Sequence, residues 1–259
     1  MGKMEIACGK PTEAVVGKSE EDAPGEERMD TKKHTGRAVK QMVLDILKSD
    51  DFDQKEDELR RLPGRQVINP LFSFLCHSDQ KVKWRAVTAM GVVVSNLAKK
   101  DMESARIIMR RLMWSLNDES GGIGWGAPET MAESMACHQG LAKEYVHILV
   151  SYIWEEGNFL EYEMLQRGAL WGIGRLAESW PHLMPSGDIC RYLPPFIESK
   201  DATVRGLAAR AMGLLGTEAD IAQLEPLLGD NAEIEIYLNR KLVVRRVSDL
   251  AREALSPNC

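Results

Sequence analysis

Seven residues near the middle of the chain carry side chains that could bind a ligand together. Glu129 and Glu133 are four positions apart, as are Arg167, Trp171 and Arg175. On a helix, each set would therefore lie along one face. Indole faces attract cations, and carboxylates hold a cation's charge. The set predicts a binding surface for a peptide or an extended polar molecule with a cationic or aromatic handle. Its members are Trp84, Trp125, Glu129, Glu133, Arg167, Trp171 and Arg175.

The same residues also fit a purely structural interpretation. Tryptophan in a helical protein often packs into the core. Glutamate beside arginine often forms an exposed ion pair that contributes well under about 1 kcal/mol. For any single residue, the two interpretations carry similar weight. Three tryptophans on one stripe favour a binding site, because a large exposed aromatic surface usually marks one.

Composition and charge exclude several classes of protein. The 259 residues carry a formal net charge of -6, which argues against a general nucleic-acid binder. The five cysteines form no C-x-x-C pair, so they indicate reduced thiols in the cytoplasm. No apolar run is long enough to span a membrane, and the first ten residues lack the apolar centre of a signal peptide.

Two stretches of the chain share a thirteen-residue pattern, D-x-x-V-[KR]-x-x-A-x-x-A-M-G. They are residues 79–91 and 201–213, and residues 165–174 fit the same frame with a glycine for an alanine. Each follows an apolar segment, so the pattern predicts pairs of helices with small residues on the second helix. Asp79 and Asp201 are predicted to cap these helices. The basic residues Lys83 and Arg205 are predicted to bridge to the neighbouring repeat.

This pattern resembles the HEAT repeat of armadillo-type proteins over about residues 65–230, and the spacing of about 40 residues agrees. The resemblance implies an all-α fold, a right-handed α-solenoid of four to five helical hairpins. It also implies that the second helices line a concave groove, which would carry the seven residues above. The central loop is similar to that of a set of uncharacterised bacterial HEAT-repeat proteins, and that likeness implies no activity.

The central loop itself is rich in glycine. Gly122, Gly124 and Gly126 are too closely spaced for a dinucleotide fingerprint, and no lysine follows as in a phosphate loop. We expect residues 119–128 to fold over the groove as a lid or wall, with Pro128 in the first turn of the next helix. Three loop residues are predicted to reach the groove's rim: Glu119, Glu155 and Asn158.

The two ends of the chain differ from the middle. Residues 1–33 carry mixed charge and little to bury, which predicts a disordered tail before a single domain at 34–259. Residues 233–247 alternate apolar and polar side chains around Asn239-Arg240, which predicts a β-hairpin. We expect this hairpin to close the open end of the solenoid. Ser248 is predicted to cap a last helix at 249–255.

Enzymatic alternatives have weaker support. The histidines do not fall at metal-ligand spacing with acids, and no His-Glu dipeptide of a HEAT-like di-iron hydroxylase occurs. HEAT-like DNA glycosylases combine tryptophan, an acid and a cationic groove, which the seven residues loosely match; a bilin lyase-type protein is a further alternative. We therefore predict a non-enzymatic scaffold with a protein or peptide partner, and no catalytic residue, metal or cofactor.

Overall fold

The computed structural model describes residues 36–117, 124–185 and 189–256. Within these ranges the chain forms twelve α-helices and one two-stranded antiparallel sheet near the C-terminal end. The predicted fold class, an all-α stack of helical hairpins with a small β-hairpin, is confirmed. The predictions for the tail at 1–33, for Glu119 and for the loop glycines before Gly124 lie outside the described residues.

The helices follow the predicted repeats closely. Those up to the middle of the chain are α1 (Gly36–Lys48), α2 (Phe52–Arg61), α3 (Gly64–Phe74), α4 (Gln80–Lys100), α5 (Met102–Leu116) and α6 (Ala127–Cys137). The rest are α7 (Gln139–Ser151), α8 (Glu163–Ser179), α9 (Pro194–Ile197), α10 (Ala202–Leu215), α11 (Glu218–Ala222) and α12 (Val247–Leu255). Pro128 lies in the first turn of α6, as predicted.

Alternate helices form a continuous inner row. α4, α6, α8, α10 and α12 pack side by side in that order, while α3, α5 and α7 lie outside them. Small residues on the inner row allow this close approach. A Cβ added at Gly172 of α8 would lie 2.7 Å from the Ala132 Cβ of α6. The alanines and glycines of the repeat pattern therefore set the spacing of the helices.

The Asp and basic positions of the repeat pattern have the predicted roles. The Asp79 carboxylate accepts a hydrogen bond from the backbone N–H of residue 81 at 2.9 Å and so caps α4. Asp201 caps α10 in the same way, with two backbone donors. Lys83 bridges to Glu129 of α6, and Arg205 bridges to Asp230 after α11. These contacts join each repeat to the next.

The β-hairpin forms where the sequence predicts it, with strands β1 (Glu233–Leu238) and β2 (Lys241–Arg246) paired from end to end. Asn239 and Arg240 connect them with φ values of 48° and 65°, the backbone of a tight hairpin turn. Its location differs from the prediction. The hairpin lies along the inner row instead of closing the end, because Tyr237 reaches α4 and Arg240 reaches α2.

The predicted cap of the last helix is also wrong. α12 begins at Val247, two residues earlier than expected, and Ser248 is buried inside its first turn. The Ser248 backbone N–H donates to the Asp230 carbonyl at 2.9 Å, so this end of the helix is held by the preceding segment.

Candidate functional site

The predicted tryptophan stripe is a buried aromatic contact with the hairpin. The Trp84 ring stacks on Tyr237 at a centroid distance of 4.7 Å and 10° between planes. Trp171 packs against Trp84 at 4.7 Å and donates its indole N–H to the Tyr237 carbonyl at 2.6 Å. Trp84 is 9% exposed and Trp171 is 4% exposed. These two rings therefore do not line an open groove, because the hairpin covers them.

The two central glutamates already hold cations of the protein itself. Glu129 accepts a hydrogen bond from the Lys83 ammonium at 2.9 Å. Glu133 accepts one from Arg175 Nε at 2.7 Å. Both carboxylates are buried. Burial alone would lower the pKa of Arg175, but its bond to Glu133 raises that pKa above the ordinary value. Lys83 and Arg175 thus occupy the positions at Glu129 and Glu133 where the sequence predicts the cation of a ligand.

Glycines on the neighbouring helices make room for these carboxylates. A Cβ added at Gly168 of α8 would lie 2.5 Å from Glu129 Oε2. A Cβ added at Gly91 of α4 would lie 2.7 Å from Glu133 Cγ. Such distances are well inside ordinary van der Waals contact. The sequence therefore places glycine at the two points where a buried glutamate faces the next helix.

The hairpin leaves two cavities between itself and the inner row. The first, of about 360 Å³, lies beside the hairpin turn. The second, of about 280 Å³, lies on the other side of Tyr237. Trp171 lines both cavities. Of the other predicted residues, Glu133 and Arg175 line the first, while Trp84, Glu129 and Arg167 line the second.

Four predicted residues lie elsewhere or have other partners. Trp125 precedes α6, is 37% exposed and lines neither cavity. Glu155 and Asn158 are exposed in the loop between α7 and α8, also away from both cavities. Arg167 does line the second cavity, but it forms an ion pair with Asp201, so it joins the cap of α10 to α8.

Sequence reasoning missed the residues that the hairpin contributes. Asn239 and Arg240 of the turn line the first cavity, together with Glu178 and Arg210 of the inner row. Arg210 pairs with Glu178, and Arg240 pairs with Glu56 at 2.9 Å. A signal was present in the sequence: an arginine stands at the turn position where glycine is the usual residue.

Positively charged side chains outnumber negatively charged ones among the residues that line the first cavity. Three arginines line it against two glutamates: Arg175, Arg210, Arg240, Glu133 and Glu178. Arg210 is largely buried and pairs with the more exposed Glu178, and Glu133 is buried and pairs with Arg175. Since the aromatic wall is apolar and the arginines keep unused N–H groups, the cavity favours a ligand with a carboxylate.

Cys137, whose thiol contacts Glu133 of this cavity, is a poor nucleophile. Burial, with a smaller contribution from Glu133, raises the pKa of the Cys137 thiol to about 12. A thiol with that pKa stays protonated at neutral pH and is a poor nucleophile. The adjacent His138 accepts a hydrogen bond from the Leu141 backbone N–H at 3.3 Å and caps α7. The geometry therefore offers no Cys-His pair for catalysis here.

The part of the chain that the structure describes contains neither a cluster of metal-ligating side chains nor a membrane-spanning helix. Among those residues, no group of three or more His, Cys, Asp or Glu side chains is placed to hold a metal ion. In the same part, none of the helices combines the length and the apolar character needed to cross a bilayer.

Comparison with known proteins finds limited likeness. No family model matches the chain. A protein of Archaeoglobus fulgidus, described as uncharacterized, is 28% identical over 188 residues, covering 71% of this chain and 92% of its own.

Solved structures of engineered proteins are also similar. One described as an engineered protein has a TM-score of 0.45 at 17% identity, over 84% of this chain and 94% of its own. A designed armadillo repeat protein has a TM-score of 0.42 at 17% identity, over 84% and 98% of the two chains. One of the armadillo repeat proteins computationally designed for modular peptide recognition has a TM-score of 0.41 at 18% identity, over the same shares.

Proposed function

We propose that the protein is a non-catalytic binding scaffold that holds a carboxylate-bearing peptide or polar ligand in the cavity beside the hairpin turn. The observation that carries the proposal is the set of three arginines around an aromatic wall, in a space of about 360 Å³. Cavities of this size suit small ligands or one or two residues of a peptide. The ligand class differs from the cationic one that the sequence suggests, because Glu129 and Glu133 are already paired.

The proposal also draws on the rigidity of the site. Arg175 is held by Glu133 and by the Ser179 hydroxyl, to which its guanidinium donates at 2.6 Å. Arg240 is held by its ion pair with Glu56. A site whose cations are already positioned loses little conformational entropy on binding.

The free thiols among the described cysteines, Cys76, Cys137 and Cys190, support a reducing compartment such as the cytoplasm.

A thermal-shift and calorimetric screen tests this proposal. The ligands are free amino acids, dicarboxylates, short peptides with free and amidated C-termini, nucleotides and short DNA. Arg210→Met removes one cavity cation while keeping an apolar stem. Arg246→Met, at an exposed position outside the cavity, removes the same charge elsewhere.

We expect free C-terminal peptides or dicarboxylates to stabilise the wild type and Arg246→Met alike. Arg210→Met should bind them about tenfold more weakly or worse, since one charge-assisted hydrogen bond is lost. The proposal fails if no carboxylate-bearing compound gives a saturable shift, or if both variants lose affinity equally. Binding of short DNA instead would favour the glycosylase-like alternative.

A further inference from the structure

A third cavity lies away from the hairpin, and no hairpin residue lines it. It has a volume of about 410 Å³ and lies between the α7–α8 loop and the segment 191–196. Four aromatic rings form its walls, and two carboxylates stand beside them. These residues are Trp154, Phe159, Tyr192, Phe196, Glu155 and Glu156, and one arginine, Arg191, lines the space with them. We call them the edge cleft.

The aromatic walls are arranged in two pairs. Trp154 stacks with Tyr192 at a centroid distance of 5.6 Å and 29° between planes. Phe159 and Phe196 lie 6.1 Å apart at 38°. One member of each pair comes from the loop and the other from the following segment. The cleft therefore lies at the junction of two successive repeats, and the ring contacts join its two sides.

The loop that carries half of the cleft is firmly held. Gly157 N–H donates to the Trp154 carbonyl at 2.8 Å, and Leu160 N–H donates to the Tyr152 carbonyl at 3.0 Å. The buried Gln166 amide donates to the Leu160 carbonyl at 2.8 Å. These bonds fix the loop at both ends without using the Glu155 or Glu156 side chains. The cleft is thus preorganised for a partner.

The two acidic side chains of the edge cleft lack partners among the residues that the structure describes. Glu155 and Glu156 are both exposed, and neither forms an ion pair or hydrogen bond with the residues that the structure describes. This contrasts with Glu129 and Glu133 of the inner surface, which are both paired. Arg191 lies over the Tyr192 ring at 4.8 Å, so a cation is already compatible with this aromatic wall. The unmatched charge of the cleft is negative.

We propose that the edge cleft binds a basic side chain, lysine or arginine, presented by a segment of a partner polypeptide. The aromatic walls suit the methylene stem of such a side chain, and ring faces attract its charged end. Glu155 and Glu156 supply the balancing charge at the mouth. A small inorganic cation would leave the apolar walls unused. This surface does not depend on the proposed carboxylate site.

Nuclear magnetic resonance of the tryptophan indole N–H groups tests the proposal directly. The ligand is the peptide Ac-Gly-Lys-Gly-NH2, and its neutral match is Ac-Gly-norleucine-Gly-NH2, which keeps the stem without the ammonium group. Trp154→Phe identifies the resonance of Trp154 by its disappearance. Trp114, 79% exposed on α5, does not line the cleft and serves as an indole that should not respond.

We expect a saturable shift of the Trp154 resonance with the lysine peptide and little shift with the norleucine peptide. The double change Glu155→Gln/Glu156→Gln should weaken binding about fivefold or more, since two nearby carboxylates are removed. The control Glu161→Gln/Glu163→Gln makes the same change in net charge at exposed positions outside the cleft. Its affinity should stay within twofold of the wild type.

Three results would overturn the proposal. The Trp154 resonance does not respond to the lysine peptide, the norleucine peptide binds equally well, or the two double variants weaken binding equally. The last result would reduce the effect to the protein's overall charge. All four glutamates are exposed, so thermal melting should show the variants to be folded. Neither probe peptide carries a carboxylate, so neither tests the proposed carboxylate site beside the hairpin turn. Failure of this experiment is therefore distinct from failure of the proposed function.

Discussion

Gly168 has a role that its helical position alone does not reveal. In a helix interior, replacing glycine by alanine normally stabilises by about 0.5–1 kcal/mol. Here the new Cβ would lie 2.5 Å from Glu129 Oε2 and 2.7 Å from Glu129 Cδ. We expect Gly168→Ala to push Glu129 away from Lys83 and to lower the free energy of unfolding by about 1–3 kcal/mol, as for a disrupted buried ion pair. Urea unfolding measures this change.

Two comparisons make the Gly168 prediction specific. Gly229→Ala should be nearly neutral, because a Cβ there meets nothing within 4 Å. In a Glu129→Ala background, the cost of Gly168→Ala should largely disappear, since the clashing carboxylate is gone. An unchanged cost in that background would show that the clash is not with Glu129.

The two capping aspartates of the repeat pattern differ in what they hold. Asp79 is exposed and accepts one backbone N–H. Asp201 accepts two backbone N–H groups and also pairs with Arg167 of α8. We expect Asp79→Ala to cost about 1 kcal/mol and Asp201→Ala about 2–3 kcal/mol of unfolding free energy. Chemical unfolding of both variants decides the order, and equal costs would contradict the role of Arg167.

The lowered pKa of Asp201 predicts that its contribution to stability depends on pH. Burial tends to raise the Asp201 pKa, but Arg167 and the backbone donors outweigh burial and hold it below its ordinary value. A depressed folded-state pKa gives stability that is present at neutral pH and is lost as pH falls through that pKa. Asp201→Asn keeps a capping oxygen without the charge, so its deficit relative to wild type should shrink at acid pH.

At the scale of elements, one residue of the hairpin turn, Arg240, has an unfavourable backbone conformation and also forms ion pairs with another element. Arg240 adopts a φ of 65°, which costs a non-glycine residue about 1–2 kcal/mol. Its guanidinium pairs with Glu56 at 2.9 Å and with Asp53 at 3.0 Å, both on α2. Glu56 is buried, and this burial raises its pKa above the ordinary value of 4.5, although Arg240 opposes the rise. The turn residue therefore balances the charge of a buried carboxylate.

The sign of the pH effect follows from that raised pKa. A carboxyl group with a raised pKa binds more protons folded than unfolded, so its effect on stability becomes less favourable as pH rises through the folded pKa. Arg240→Gly relieves the backbone but leaves Glu56 without this partner. We expect the variant to equal or exceed the wild type in stability near pH 4, where the backbone relief remains, and to be about 1–3 kcal/mol less stable at pH 7–8.

A neighbouring substitution separates strain from charge. Asn239→Gly relaxes the other positive-φ residue, at 48°, and removes no ion pair. It should stay within about 1 kcal/mol of wild type at both pH values, because asparagine already tolerates this conformation. Adding Glu56→Gln to Arg240→Gly should abolish the pH-dependent loss. Denaturant unfolding at pH 4 and pH 7.5 tests both statements.

The elements show why some features were predictable from sequence and others were not. The repeat pattern acts locally, through its capping aspartates Asp79 and Asp201 and through its alanines. Its spacing therefore predicts the caps, the helices and their close packing. The hairpin strands were also predictable, since their alternation is local. The contact of Tyr237 with Trp84 and Trp171 joins distant parts of the chain. No periodicity indicates whether such tryptophans meet a ligand or a distant segment of the same chain, so the open groove was predicted and a covered one was found.

At the scale of the whole molecule, the hairpin gives the stack a contact that helical repeats usually lack. Repeat proteins hold together mainly through nearest neighbours, so distant repeats can unfold separately. Here Thr88 of α4 bonds Tyr237 across 149 positions, and Glu56 of α2 bonds Arg240 across 184. The hairpin thereby ties the first helices to the last ones.

Removal of these long-range contacts should divide the unfolding of the protein into two steps. In Tyr237→Ala/Arg240→Ala, we expect hydrogen exchange in α1–α3 to become faster than in α10 and α12, since the first helices then rely on local contacts. Mass spectrometry of exchange at increasing urea should give one common midpoint for both ends of wild type and two midpoints for the variant. Val244→Ala changes an outward-facing, 62% exposed hairpin residue and should leave the common midpoint intact. If both ends of the double variant still unfold together, neighbouring-helix contacts alone produce the cooperativity, and the hairpin serves only to cover the inner row.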